Sequence, residues 1–226
     1  MTLKYCTAVL TQGELEEATK WYKLACDSEW PQFHHFCYWE LIWCYQFSQD
    51  WWSAVHYADL LLQESKWSKT FYSYMKGAFM CMVQGELTEE QRKEQIELMM
   101  YVLSLVYNNN IFIYVYNLLK FNRLNQLFFS HFCRDVPKWK QRIAGKSIPM
   151  EKFAIAKSKL FLEQNNRLTL PSLELIYMWN GFRILGSRYE TIEPVFILVE
   201  KAIREHEKDK GIWMYYYAAN FRFTNY

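Results

Sequence analysis

The stretch HHFCYWELIWCYQF, His34 to Phe47, sets two histidines, two cysteines and a glutamate among six aromatic residues in fourteen positions. Imidazole, thiol and carboxylate are the groups that hold zinc and activate nucleophiles, so chemistry is sought here first. Spacing decides the matter. On a helix, His34 and His35 point about 100° apart and cannot serve one ion from one face. His34, Cys37, Leu41 and Cys44 instead share one stripe. Tyr38, Ile42 and Tyr45 share another, with Trp39 and Trp43 beside it. A helix that is apolar on most sides is an interior helix of a stack. No third group is placed to orient a Cys–His pair, so a catalytic nucleophile is not expected.

The other reactive residue types lead to the same place. Cys6, Cys26, Cys37, Cys44, Cys81 and Cys133 are scattered with no CxxC pair, which argues against a zinc ribbon or a thioredoxin-like motif. The run AGKS, Ala144 to Ser147, has the look of a phosphate loop, but Lys140 stands where such a loop needs its first glycine and no apolar strand precedes it. The histidines His34, His35, His56, His131 and His206 converge on no acid–base set that the sequence can identify. The expectation is a chain with no catalytic residues, no cofactor and no metal, not an enzyme.

Charge is more informative. Net charge is +2, too small for a global attraction to nucleic acid or membrane. Locally, Lys138, Lys140, Arg142, Lys146, Lys152, Lys157 and Lys159 are opposed within their run only by Glu151. The plain reading is a solvated helix face. The sharper one is a docking patch for an acidic protein or an anionic lipid surface. Nucleic acid is not an expected partner, because no binding motif accompanies the patch.

The elements that position these residues follow from composition and repetition. With only 7 glycines and 5 prolines in 226 residues, long helices are expected, and 19% aromatic content requires extensive ring burial between them. SEWP at Ser28 and SKWS at Ser65, Cys44 and Cys81, and QGEL at Gln12 and QDWW at Gln49 are all 37 residues apart, and QGEL recurs at Gln84. Each unit reads as two helices. After a turn at Gly13, Leu15, Ala18, Tyr22 and Ala25 recur at helical spacing. After a cap at Asp50, Ala54, Ala58 and Leu61 repeat the pattern. The small residues admit a neighbouring helix, and Tyr22 fills the space between. This pattern resembles the tetratricopeptide repeat. The expected fold is all-α: a helix-hairpin solenoid, a right-handed stack of antiparallel helix pairs, in which each hairpin buries its apolar face on the next.

Larger blocks carry a more specific resemblance. HHFCYWELIWCYQFSQDWWSAVHYADLLLQESKWSK, RIAGKSIPMEKFAIAKS from Arg142 and LPSLELIYMWNGF from Leu170 are similar to the tetratricopeptide repeat protein 39 family, which includes the fungal inclusion-body clearance proteins. The resemblance covers roughly residues 8–100 and 134–205. It implies a central fragment of a longer intracellular, non-catalytic helical-repeat protein that works through protein partners. A cytoplasmic location is expected, since the N-terminus lacks the features of a signal peptide.

Two segments depart from the pattern. Residues 101–133 are rich in Asn, Ile, Phe, Tyr and Leu and nearly free of charge; the tail 209–226 shares this bias. Four regions are therefore expected: repeats over 1–100, an atypical insert over 101–133, a family-specific helical region over 134–208 and an atypical tail over 209–226. The AT-rich codon bias of the insert suggests a retained intron in the gene model. Two alternatives stand beside this. Leu98 to Leu119 is uncharged and long enough to span a membrane, although its four asparagines argue against a span. The other alternative is a genuine amphipathic insertion helix. In the last region, Leu173, Ile176, Tyr177 and Gly181 form one expected core stripe, and Val195, Leu198, Val199, Ala202 and Ile203 another.

Overall fold

A computed structural model describes residues 2–26, 31–83, 85, 87–104 and 149–205. Among these, every regular element is a helix: α1 (Thr2–Thr11), α2 (Leu15–Cys26), α3 (Pro31–Phe47), α4 (Trp51–Glu64), α5 (Lys69–Met82), α6 (Glu89–Ser104), α7 (Pro149–Glu163), α8 (Pro171–Met178), α9 (Phe182–Leu185) and α10 (Tyr189–Glu205). The residue ranges 105–133 and 206–226, which hold nearly all of the two atypical segments, lie outside the described residues. The first four residues of the expected insert, Tyr101 to Ser104, continue α6, with Val102 and Leu103 in the core.

Local signals set the boundaries. Asp50 caps α4 by accepting the Ser53 N–H at 3.1 Å, and Ser68 caps α5 by accepting the Phe71 N–H at 3.2 Å. Thr88 and Gln91 open α6 with a reciprocal box: Gln91 N–H donates to Thr88 Oγ1 at 3.2 Å and Thr88 N–H to Gln91 Oε1 at 2.9 Å. At the other ends, α1 stops where Gly13 turns to φ 77°, and Glu14 N–H donates back to the Val9 carbonyl. Gln49 ends α3 in the same way at φ 59°, with Asp50 N–H on the Tyr45 carbonyl. Gly13 and Gln49 are thus the equivalent turn positions. The Gln12/Gln49 landmark of the sequence is one residue out of register with them.

Consecutive helices pack in chain order from α1 to α6, as a helical-repeat solenoid requires. The seven residues Leu41 to Phe47 are all buried, so the second half of α3 is interior on every side. In α5 every residue from Thr70 to Cys81 is buried. It touches α4 and α6 as its neighbours, and also α7 and α8. α7 continues the stack beyond α6. α8 does not: it lies across α5 and α3.

The block LPSLELIYMWNGFRIL is not one helix. α8 ends where Asn180 adopts φ 57°, with Asn180 N–H on the Tyr177 carbonyl at 3.0 Å and Gly181 N–H on the Ile176 carbonyl at 2.8 Å. This six-to-one closure stops the helix before a new short one starts. Tyr177 is 51% exposed, so it leaves the expected core stripe, while Leu173 and Ile176 stay in it. Gly181 has a steric role. A Cβ there would come within 2.9 Å of the Phe47 ring and 3.0 Å of Ile176, so only glycine lets this turn rest on the end of α3.

Candidate functional site

The chain's own α8 lies on the face made by α3 and α5. Pro171 to Ile176 are all buried there. Pro171 starts the helix, where its missing N–H costs nothing. At the far end Trp179 enters an aromatic slot, its ring centroid 5.2 Å from Phe71, 5.3 Å from Trp43 and 5.7 Å from Trp39. Trp39 also stands edge-on to Trp43 and Trp67. Such tilted and edge-on ring pairs add specific attraction to the buried area.

Polar contacts fix the register of α8. The Ser172 hydroxyl donates to Gln46 Oε1 at 2.9 Å inside the core. Glu174 is buried and takes the Lys157 ammonium at 2.6 Å. Burial pushes the Glu174 carboxyl above its usual range, and Lys157 only partly offsets this. Beyond the Asn180 turn the chain returns to the start of the stack. Arg188 donates through Nε to the Gln12 carbonyl at 2.9 Å and pairs with Glu14, while Ser187 and Arg188 close over Gly13.

Three of the seven basic candidates are described. Lys152 is exposed, and Lys159 is exposed and makes a loose pair with Glu163 at 3.7 Å. Lys157 is committed inward to Glu174 and lies over the Phe153 ring. Lys138, Lys140, Arg142 and Lys146 lie outside the described residues. Of the repeat-packing candidates, Ala18, Tyr22, Ala54, Ala58 and Leu61 are fully buried and Ala25 is half-buried.

The segment His34–Phe47 sets half-buried Glu40 among the buried thiols of Cys37 and Cys44. Burial raises the Glu40 carboxyl to about 7, although the Tyr22 hydroxyl donates to it and works the other way. The Cys44 thiol is pushed up to about 12, chiefly by burial, and Cys37 is held up by its contact with the Cys26 thiol and by burial. Thiols raised in this way are poor nucleophiles and poor metal ligands. Among the described residues, no three His, Cys, Asp or Glu side chains are grouped to hold a metal ion.

The family model for Iml2/Tetratricopeptide repeat protein 39 matches residues 1–216. The chain belongs to this family. Within it, the Caenorhabditis elegans protein named tetratricopeptide repeat protein ttc-39B is 31% identical over 189 residues, 83% of this chain and 27% of its own length. The chain therefore spans about a quarter of the length of that curated relative. No solved structure matches it. The matched residues include both the stacked hairpins of α1–α6 and the α8 segment seated on them.

Sequence reasoning missed the residues that build that seat. Trp179 follows the expected stripe by three positions from Ile176, a helical spacing that was available, but its partners Trp39, Trp43 and Phe71 are more than a hundred residues earlier. The ion cluster inside the stack was also missed. Lys76 reaches Asp59 at 2.6 Å and Glu94 at 2.5 Å with its side chain 9% exposed. Burial alone would lower the Lys76 ammonium, and the two carboxylates outweigh that and raise it.

Proposed function

We propose that this chain is a non-catalytic scaffold of stacked helix hairpins that works by holding helical segments, first its own α8 and then segments of protein partners. The observation that supports this reading is the seat itself. Six consecutive buried residues and an anchoring tryptophan on α3 and α5 are the hallmarks of a helix laid in a groove. The family membership supports the same reading, since helical-repeat stacks present extended surfaces for partners. With the α3/α5 face covered in cis, partners use surfaces that α8 leaves open. A cytoplasmic setting accords with this role. No helix among the described residues is long and apolar enough to cross a membrane.

The test is affinity capture with the chain followed by cross-linking. A reproducible protein cross-linked to residues of α1–α7 supports the scaffold reading. Repeated captures in which no protein exceeds the level seen with an unrelated helical protein would contradict it. A second reading, an adaptor on anionic lipid surfaces that uses Lys152 and Lys159 with Lys138, Lys140, Arg142 and Lys146, draws support from the exposure of the two described lysines. Flotation with anionic vesicles at low and high salt separates it from the first, because only electrostatic attachment is lost at high salt.

A further inference from the structure

A cleft of about 370 Å³ opens between α4, α5 and α6, and α8 contributes no residue to it. Leu62 and Leu98 supply apolar wall and Tyr101 a ring. At its floor the Ser73 hydroxyl is fully buried and has no hydrogen-bond partner among the described residues. A buried hydroxyl left in this state carries the cost of its lost water until something satisfies it.

Charge selects the occupant. Two carboxylates, Glu94 and Glu97, and one ammonium, Lys69, line the cleft. Lys69 is held by the carbonyls of Leu62 and Gln63 at the end of α4, which fixes its place but leaves its charge, so the lining carries two negative groups to one positive. Glu94 is shared with Lys76. Glu97 makes no ion pair or hydrogen bond among the described residues. Its carboxyl is raised by burial and by the neighbouring charge of Glu94, with Lys93 offsetting part of this. A cation entering the cleft would relieve both the desolvation and the repulsion. An anion would meet two carboxylates against the one Lys69 ammonium.

We infer that this cleft receives an arginine side chain of a partner protein, its stem along Leu62, Leu98 and Tyr101 and its guanidinium on Glu97, with an N–H offered to the Ser73 hydroxyl. The shape favours arginine over a compact ammonium. The planar fork pairs with a carboxylate through two N–H groups, stacks on a ring, and sheds water more easily. This inference rests on the scaffold reading, for which it names one anchor of the partner.

The experiment is protein-observed NMR titration of the full chain with N-acetyl-arginine amide. The controls are N-acetyl-citrulline amide, which keeps the shape and hydrogen-bond donors but lacks the charge, and the Glu97→Gln chain. Saturable shifts at Leu62, Ser73, Leu98 and Tyr101 are expected for arginine. The citrulline amide is expected to bind roughly tenfold more weakly, as is arginine on Glu97→Gln, since each removes the charge-assisted pair. Equal binding of the two amides, no effect of Glu97→Gln, or shifts that map elsewhere would overturn the inference. If arginine fails to bind while cross-linked partners still map to α1–α7, the cleft proposal falls and the scaffold reading stands.

Discussion

α1–α6 and α8–α10 are built by different rules. In the first region each helix rests on its sequence neighbour, and the pattern of small and large residues is enough to place it. In the second, α8 finds its place through contacts that reach more than a hundred residues back, made by Trp179, Ser172 and the glycine at 181. A solenoid alone has only neighbour contacts and tends to lose cooperativity along its length. A segment that returns across two hairpins ties distant repeats together. Dependence is expected to run one way: α8 needs the stack, while the stack has contacts enough of its own.

The largest effect is expected from Trp179→Ala. It removes a half-buried ring from contact with Trp39, Trp43 and Phe71 and should cost about 2–4 kcal/mol. Hydrogen exchange should show Pro171–Met178 losing protection while α2–α4 keep theirs. Loss of protection throughout would break the one-way comparison and make α8 part of the stack's own core.

The reverse test is Ala58→Trp. Ala58 is fully buried, and overpacking there should cost about 1–3 kcal/mol. Because it damages the platform, protection should fall in α2–α5 and in α8 together. An unchanged thermal midpoint would mean that the assigned packing face of α4 is wrong.

A smaller effect separates the regions by pH. Glu40 belongs to the first region and titrates near 7 when folded, above the ordinary carboxyl value of 4.5. The folded chain therefore binds more protons than the unfolded chain between those values. The stability linked to this group is full below about 4.5 and is lost as pH rises through about 7. Glu40→Gln should remove that slope and stabilise the chain by about 1–2 kcal/mol at pH 8, after allowance for partial exposure. Denaturant midpoints at pH 5 and pH 8 for both chains give the answer. An equal fall between the two pH values in wild type and Glu40→Gln would assign the slope to other groups.

What could be read from the sequence follows the same division. Ala18, Tyr22, Ala54, Ala58 and Leu61 repeat at helical spacing because each hairpin meets the next in the same way, so a local pattern reports a three-dimensional contact. The caps at Asp50 and the turn at Gly13 are short-range and equally visible. Gln49 was not legible as the counterpart of Gly13, since glutamine carries no preference for the left-handed turn it adopts. Lys157 looked like surface charge because its partner Glu174 lies across a turn and on another helix. Trp179 read as one more aromatic residue in a chain full of them. Nothing local says that a ring will be the anchor of a segment that folds back onto α3.

The most direct test of that anchor is a double-mutant cycle between Trp43 and Trp179, each replaced by Leu, with unfolding free energies measured for the four chains. The rings are 5.3 Å apart and 136 positions apart in the chain. Direct contact should give an interaction free energy of about 0.5–1.5 kcal/mol. Strict additivity of the two single substitutions would mean that Trp179 does not sit in the aromatic slot, and the account of α8 as a helix held by the stack would fail.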